Sequence, residues 1–319
     1  MKRYCFIINP HSGISQKDHL VELINQLADS LKYKPIIRYT EYAGHASEIV
    51  AQAIIDQVDA IIAVGGDGTV NEIATALCNT EVSLGIIPRG SGNGFARHLG
   101  IPLSPKEAIT TICKGYTRLV DYGMINDKHF FCTCGIGFDA LISYRFSIGN
   151  KRGIQGYIEQ ILRASRNYIS EKYHLEIDDK SYDCQAFVIA IGNAAQYGNN
   201  AYITPEANIN DGLLDMTIVH PFAIMDIPEL AFQLFSKDIN KNKNVATFRC
   251  KEITIERKDS GLVHYDGESC KMDKKIIIKI QPKGLSVICQ QKSNKKSPSP
   301  LLWANLIKKI NKQIPWQKN

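Results

Sequence analysis

Short apolar runs alternate with longer mixed segments through the first 125 residues. Four of these runs are continuous enough to be strands buried on both faces, and they lie at 4–9, 34–40, 59–66 and 82–88. Between them, apolar residues recur at helical spacing, which predicts helices at 16–31, 45–55 and 69–78. Strand and helix alternation of this kind predicts a Rossmann-like α/β domain with a parallel sheet covered on both faces.

The pattern changes after about residue 125. Strand-like runs dominate from there to residue 290, many of them alternating, and turn signals such as "NDG" and "KDSG" separate them. We expect a mainly antiparallel β-sandwich, interrupted by helices near 151–169 and 224–237. The predicted domains are therefore 1–125 (α/β), 126–290 (β-sandwich) and 291–319 (a linker and tail).

Four polar turns follow the four predicted strands of the first domain. They read "NPHSG", "YTEYAGH", "GGDGT" and "PRGSGNG", and each of them contains glycine. In parallel α/β sheets the carboxyl ends of the strands lie at one edge, and ligands bind beyond that edge. The sequence therefore predicts a binding site made from these turns.

The segment "GGDGTVNE" at 65–72 has the composition of a phosphate-binding turn. Glycines allow close approach of a phosphate to backbone amides, and the helix that follows presents free N–H groups. The segment is neither a Walker A loop nor a Gly-x-Gly-x-x-Gly motif. Asp67 within it allows three interpretations: it holds a Mg²⁺ that bridges nucleotide phosphates, it removes a proton from an acceptor hydroxyl, or it braces the loop by accepting backbone amides.

Charge and cysteine usage narrow the class of protein. The net charge is +6, but seven lysines and no acid lie in 291–319, so the basic excess belongs to the tail and predicts no nucleic-acid surface on the body. The nine cysteines are scattered without a Cys-x-x-Cys pair, which favours free thiols in a cytoplasmic protein. No secretory segment or membrane span is expected.

The tail carries a pattern of its own. Residues 301–316 place apolar side chains, including Trp303, on one helical face and lysines mostly opposite. A basic amphipathic helix with tryptophan is typical of a membrane-surface anchor, and a helix docking on the body is the alternative.

Five motifs in order resemble one family. "NPHSG", "GGDGTVNE", "PRGSGNGFARHLG", "NDGLLD" and "YDGE" span residues 9–268. In this order they resemble the catalytic domain of the diacylglycerol kinase and sphingosine kinase family of lipid kinases, in its bacterial soluble branch. The resemblance implies transfer of the γ-phosphoryl group of ATP, with Mg²⁺, to a hydroxyl of a diacylglycerol-like or sphingoid lipid at the membrane surface.

The resemblance also implies roles for individual residues. Asp266 matches the general base of bacterial members, with Glu268 beside it, whereas the sphingosine branch gives the base role to the position of Asp67. A structural Mg²⁺ is implied on the side chain of Asp211 and on carbonyls near Asn208 and Leu213. The residues that the resemblance assigns to ATP binding are Asn9, Thr40, Gly65, Gly66, Asp67, Gly68, Thr69, Val70, Asn71, Glu72, Gly90, Ser91, Gly92 and Asn93.

One departure concerns the lipid acceptor. Bacterial diacylglycerol kinases usually carry an aspartate at the position of Gly94, where it joins a charged network with the arginine three residues on. Here Arg97 is retained and Arg89 adds a second cation, but the acidic partner is missing. The missing aspartate puts diacylglycerol in question as the lipid acceptor, but it does not change the expectation of phosphoryl transfer.

Two other functions remain open at this point. An NAD kinase also uses a Gly-Gly-Asp-Gly loop, but this function explains neither "GSGNGFAR" nor the tail. A catalytically weak lipid or nucleotide sensor of the same fold is the second alternative. For the favoured lipid kinase we expect a cytoplasmic protein at the inner membrane face, with peripheral contact through 301–316, no nucleic-acid partner, and a homodimer as an open option.

Overall fold

The computed structural model describes residues 1–12, 17–148, 164–165 and 168–290. The predicted tail at 291–319 lies outside the described residues, as does most of the helix predicted near 151–169. Within the described ranges, no helix is long and apolar enough to cross a membrane.

The N-terminal part is a parallel sheet with helices on it. Its four strands are β1 (Lys2–Ile8), β2 (Tyr33–Tyr39), β3 (Ala60–Gly65) and β4 (Ser83–Pro88), paired in the order β2-β1-β3-β4. The helices are α1 (Lys17–Leu31), α2 (His45–Ile55), α3 (Asp67–Leu77), α4 (Gly94–His98) and α5 (Pro105–Lys114). Strand β3 is buried along its whole length, as expected for a strand covered on both faces.

The C-terminal part is antiparallel. Its strands are β5 (Thr117–Ile125), β6 (Lys128–Phe130), β7 (Thr133–Gly137), β8 (Glu171–Ile177), β9 (Lys180–Ala186), β10 (Val188–Gly192), β11 (Leu214–Val219), β12 (Val245–Cys250), β13 (Glu252–Arg257), β14 (Gly261–Tyr265), β15 (Glu268–Met272) and β16 (Lys275–Ile288). Two further helices are α6 (Phe138–Ile148) and α7 (Ile227–Ser236), and 3₁₀ turns occur at Ile224–Asp226 and Ile239–Lys241. A six-stranded sheet has the order β12-β11-β10-β7-β14-β15.

The long strand β16 belongs to both parts. It pairs in parallel with β4 through Val287 and Leu84, and antiparallel with β5 and β13. The result is one large sheet in the order β2-β1-β3-β4-β16-β13-β8-β9, with β5 and β6 off this path. The predicted fold class, an α/β domain followed by an antiparallel β domain, is confirmed, whereas the predicted domain limits stay a prediction.

Three apolar clusters account for the layers. The first lies between the parallel sheet and its helices and includes Leu285, Val287 and Ile288 of β16. The second fills the space between the antiparallel strands of the large sheet and the six-stranded sheet, which makes this part a sandwich. The third lies against the six-stranded sheet beside α6 and α7.

Candidate active site

Two glycine turns follow β3 and β4 and pack directly against each other. The strands are parallel neighbours with Gly65 opposite Pro88, so their turns leave the sheet side by side. A Cβ on Gly90 would lie 2.7 Å from the Cα of Gly66, so neither turn has room for a side chain there. The Arg89 amide also donates to the Gly65 carbonyl at 2.8 Å. These contacts explain why glycine is needed in both motifs.

Asp67 joins the two turns. It is the first residue of α3, and its Oδ2 and Oδ1 accept the amides of Asn93 and Gly94 at 2.8 Å each. The carboxylate therefore satisfies donors at the start of α4, which is the bracing interpretation. Burial raises the pKa of Asp67, and the nearby Asp266 adds to this, while the backbone amides act in the opposite direction. The metal and base roles of Asp67 stay predictions.

The second turn holds its own shape around Asn93. This residue has φ of 50°, and its side chain accepts the Gly90 amide at 2.9 Å and donates to the Gly90 carbonyl at 2.7 Å. Arg97 Nε donates to the Gly92 carbonyl at 3.0 Å. Arg97 thus supports the turn although position 94 is a glycine and offers no carboxylate. Ser91 is exposed at the tip of the turn.

Gly94 is closely packed. A Cβ at this position would lie 2.9 Å from Cys132 Sγ and 3.2 Å from the Tyr197 carbonyl oxygen. An aspartate here would require these neighbours to move. The local packing therefore favours glycine over aspartate at position 94.

Asp266 reaches the same region from the turn between β14 and β15. Its φ of 46° is in the left-handed region, which turns the carboxylate back toward α3. Oδ2 accepts Asn71 Nδ2 at 2.9 Å and the Phe131 amide at 2.8 Å, and Oδ1 accepts the amides of Cys132 and Thr133 at 2.8 and 3.1 Å. Burial raises the pKa of the Asp266 carboxyl, and the four donors act against that rise. Residues nearly 200 positions apart are thereby joined beside the glycine turn.

Glu268 lies over the start of α3. Its Oε1 is 3.0 Å from the place that a Cβ on Gly68 would occupy. On the opposite side, Asn9 Nδ2 donates to Thr69 Oγ1 at 3.0 Å, which ties the end of β1 to the same turn. The helix start is thus flanked by a carboxylate and by an amide side chain.

A cleft of about 610 Å³ opens at this point between the two parts of the chain. Thr40 and Glu72 line it, and Glu72 Oε1 accepts the Ser47 amide at 3.3 Å. Of the predicted ATP-binding residues, the lining includes Asn9, Thr40, Gly68, Thr69, Asn71 and Glu72, whereas Val70 is buried behind them. Within the described ranges, the charged residues that line it are Glu41, Glu72, Asp127, Glu268 and Lys128. An acidic cleft at a helix N-terminus suits an anion that arrives with a divalent cation.

The predicted structural Mg²⁺ site does not fit its residues. Asp211 Oδ1 accepts the Leu213 amide at 3.1 Å, and Oδ2 pairs with Arg249 Nη2. The Asn208 carbonyl accepts the amide of Asn210 at 2.8 Å. Both carboxylate oxygens are therefore engaged within the protein, and one of them faces a cation. Among the described residues, no group of three or more His, Cys, Asp or Glu side chains could hold a metal ion.

The sequence motifs did not predict one buried hydrogen-bond network. Asp139 Oδ2 pairs with His264 Nε2 and accepts the Tyr197 hydroxyl, both at 2.9 Å. His264 lies two residues before Asp266, so this network anchors β14 near the carboxylate. Asp139 lies in the glycine-containing segment "GIGFDA" at 135–140, and only the fold brings His264 to it.

Comparison with known proteins identifies both halves of the chain. The diacylglycerol kinase catalytic domain matches residues 3–125, and the YegS C-terminal NAD kinase beta sandwich-like domain matches residues 133–289. A probable lipid kinase YegS-like of Pectobacterium atrosepticum is 32% identical over 79% of this chain and 85% of its own. A diacylglycerol kinase of Bacillus subtilis is 26% identical over 84% of this chain and 90% of its own.

A solved structure agrees with these matches. The crystal structure of a putative diacylglycerol kinase from Bacillus anthracis str. Sterne superposes with a TM-score of 0.76 and 26% identity, over 91% of this chain and 97% of that one. The resemblance predicted from the five motifs is confirmed. The chain belongs to the bacterial lipid kinase family in which a diacylglycerol kinase catalytic domain precedes a YegS-type β domain.

Proposed function

We propose that the protein transfers the γ-phosphoryl group of ATP to a hydroxyl of a diacylglycerol-like or sphingoid lipid. The observation that carries this proposal is the position of Asp266, which is bound to Asn71 of α3 beside the glycine turn and the acidic cleft. A carboxylate from the β domain at the phosphate-binding turn of the α/β domain is suited to accept the proton of an acceptor alcohol, which contributes about 10²–10⁴-fold to phosphoryl transfer.

The nucleotide end of the cleft would be the start of α3. Backbone amides of Gly68 and Thr69 belong to the first helical turn, where N–H groups lack intrahelical acceptors and favour phosphate. Among the described residues, four carboxylates and one lysine line this cleft, so a divalent cation beside the phosphates would offset the negative charge. Mg²⁺ bound with ATP would supply this charge neutralisation, and Glu268 places a carboxylate against Gly68 in the first turn of α3.

Asp266 is our choice for the general base. Its raised pKa makes the carboxylate a better proton acceptor than an exposed aspartate. The Asn71 side chain would have to release Oδ2 before Asp266 removes the proton of the lipid hydroxyl. Asp67 would hold the two glycine turns together through Asn93 and Gly94. In this proposal the two carboxylates divide chemistry and support between them.

The surface beside α7 supports a lipid as acceptor. Ile224, Met225 and Phe232 are 70%, 82% and 54% exposed, and α7 contains no buried residue. Exposed apolar side chains grouped in one helical segment are typical of contact with a membrane surface. We propose peripheral contact of this segment with the bilayer that holds the substrate, in addition to the predicted role of 301–316.

One assay panel tests the proposal. The purified full chain with labelled Mg-ATP is offered diacylglycerol, sphinganine and ceramide in mixed micelles, and NAD in solution. We expect label in one of the lipids and a loss of about 10²–10⁴-fold in the rate for Asp266→Asn. The matched control is Asp273→Asn, which changes an exposed aspartate close by in the chain and should leave the rate unchanged.

Two results would contradict the proposal. Transfer to NAD alone would favour the NAD kinase alternative, and no transfer to any acceptor would favour the sensor. Because Asp266 accepts four donors, nucleotide binding and the melting temperature of Asp266→Asn are measured in parallel. A variant that binds nucleotide as the wild type does but keeps the full transfer rate would remove Asp266 from the base role.

A further inference from the structure

The loop formed by "NDGLLD" (210–215) contacts a cationic side chain of the protein, the guanidinium of Arg249. The resemblance implies a structural Mg²⁺ at Asn208, Asp211 and Leu213, and the contacts of these residues do not accommodate one. We propose that in this chain the Arg249 guanidinium replaces that Mg²⁺, so that the loop is held without a metal ion. This inference rests on the family and on the loop contacts, and it is independent of the lipid and of the base.

The guanidinium bridges two carboxylates. Arg249 Nη2 contacts Asp211 Oδ2, and Arg249 Nε lies 3.4 Å from Asp215 Oδ1. A planar guanidinium can serve two acceptors at once and stays protonated at all physiological pH values. The side-chain ligand that the metal would need is therefore already neutralised.

The pairing register of β11 and β12 determines the position of Arg249. Residues Asp215 and Arg249 are direct partners in the antiparallel pairing of β11 and β12. Side chains of such partners lie on the same face of the sheet and within contact distance. The Arg249 side chain is therefore next to the loop because of the strand register, and a dication at Asp211 would meet a guanidinium charge a few ångströms away.

The remainder of the loop is held by hydrogen bonds within the protein. Asp121 of β5 accepts the Gly212 amide on Oδ2 and the Lys283 amide on Oδ1, both at 2.7 Å. The Asp121 amide in turn donates to the Ile209 carbonyl at 2.7 Å. The loop is thus clamped between β5 and β16 by a buried carboxylate, and these bonds need no bound ion.

Asp215 shows what would follow from loss of the guanidinium. Its Oδ2 is buried and has no hydrogen-bond partner among the described residues. Without Arg249, Asp215 Oδ1 and Asp211 Oδ2 would lose their cation as well, and two carboxylates would remain without a positive partner. Removal of the arginine should therefore create a weak affinity for divalent cations that the wild-type loop lacks.

Thermal unfolding of the full chain tests the inference. Wild-type protein is melted after dialysis against EDTA and again with added MgCl₂, and bound metal is measured by mass spectrometry. We expect the same melting temperature in both conditions, to within about 1 °C, and no bound magnesium. Arg249→Gln should melt several degrees lower, and MgCl₂ should recover part of that loss.

The controls separate this effect from general charge loss. Lys279→Gln breaks an exposed pair with Glu252 on a neighbouring sheet and should change the melting temperature little, with no response to MgCl₂. Arg249→Lys keeps the charge and should remain insensitive to MgCl₂. A wild-type melting temperature that falls with EDTA and returns with MgCl₂ would overturn the inference. So would an Arg249→Gln variant as stable as the wild type.

Discussion

Replacement of Asp67 tests whether its carboxylate braces the site or performs chemistry. Its two oxygens accept the amides of Asn93 and Gly94, each at 2.8 Å. Asp67→Asn leaves one acceptor oxygen and turns an NH₂ group toward the other amide. Asp67→Ala removes both acceptors and leaves two amides without a partner at the start of α4.

The magnitudes follow from these contacts. A hydrogen bond to a charged group contributes about 1.5–3 kcal/mol, and an unpaired buried donor costs about 1–3 kcal/mol. The gain from no longer burying a charge near Asp266 offsets part of this loss. We therefore expect the free energy of unfolding to fall by about 1–2 kcal/mol for Asp67→Asn and by about 2–4 kcal/mol for Asp67→Ala.

Urea unfolding and steady-state kinetics measure the two consequences side by side. If Asp67 braces the turns, KM for ATP should rise in proportion to the stability loss, with a smaller change in kcat. Asp29→Asn, which changes an exposed aspartate on α1, is the control and should leave both quantities unchanged. Variants that unfold at the wild-type urea concentration while kcat falls about 10²–10⁴-fold would refute the bracing role and assign Asp67 to proton transfer.

Two further predictions concern packing. Gly94→Asp, which introduces the aspartate that the family resemblance implies at this position, should lower the free energy of unfolding by about 1–3 kcal/mol because its Cβ meets Cys132 Sγ and the Tyr197 carbonyl. Cys132→Ala in the same chain should recover part of the loss, and unchanged stability would show that the neighbours yield freely. Burial raises the pKa of Cys5 to about 11 and of Cys250 to about 12, so less than about 1% of either thiol is ionised at pH 8. Both should resist a thiol reagent in the folded protein and react in guanidinium, as followed by mass spectrometry; rapid labelling before unfolding would contradict their burial.

The sequence predicted the elements whose pattern is local. The four apolar runs of the first domain became β1 to β4, and the helix predicted at 45–55 is α2. Strand β5 was missed because it carries the polar Asp121, which the fold buries and supplies with two amides. The run "VATFRCKEITIER" is one uninterrupted strand-like stretch in the sequence, whereas the structure divides it into β12 and β13, which lie in different sheets. Pairing partners decide such divisions, and a single sequence does not contain them.

The residues of the site also divide into those that the sequence predicted and those that only the fold brings together. The glycine turns were predictable because each follows its own strand, and parallel strands bring their ends together. The role of Asn71 in holding Asp266 was not predictable from the sequence. Its side-chain amide donates to Asp266 and to the His129 carbonyl across the interface between the two halves. Arg249 was also outside the prediction, because only the register of β11 and β12 brings it to Asp211.

The position of β16 has a consequence for synthesis on the ribosome. Leu285, Val287 and Ile288 complete the core of the N-terminal α/β layer, although they are made after nearly every other described residue. The edge of β4 therefore has no permanent neighbour while the intervening 190 or so residues emerge. The nascent α/β layer therefore keeps an open apolar edge until β16, the last strand among the described residues, has been made. A molecule that is two domains in its architecture is in this respect a single unit of assembly.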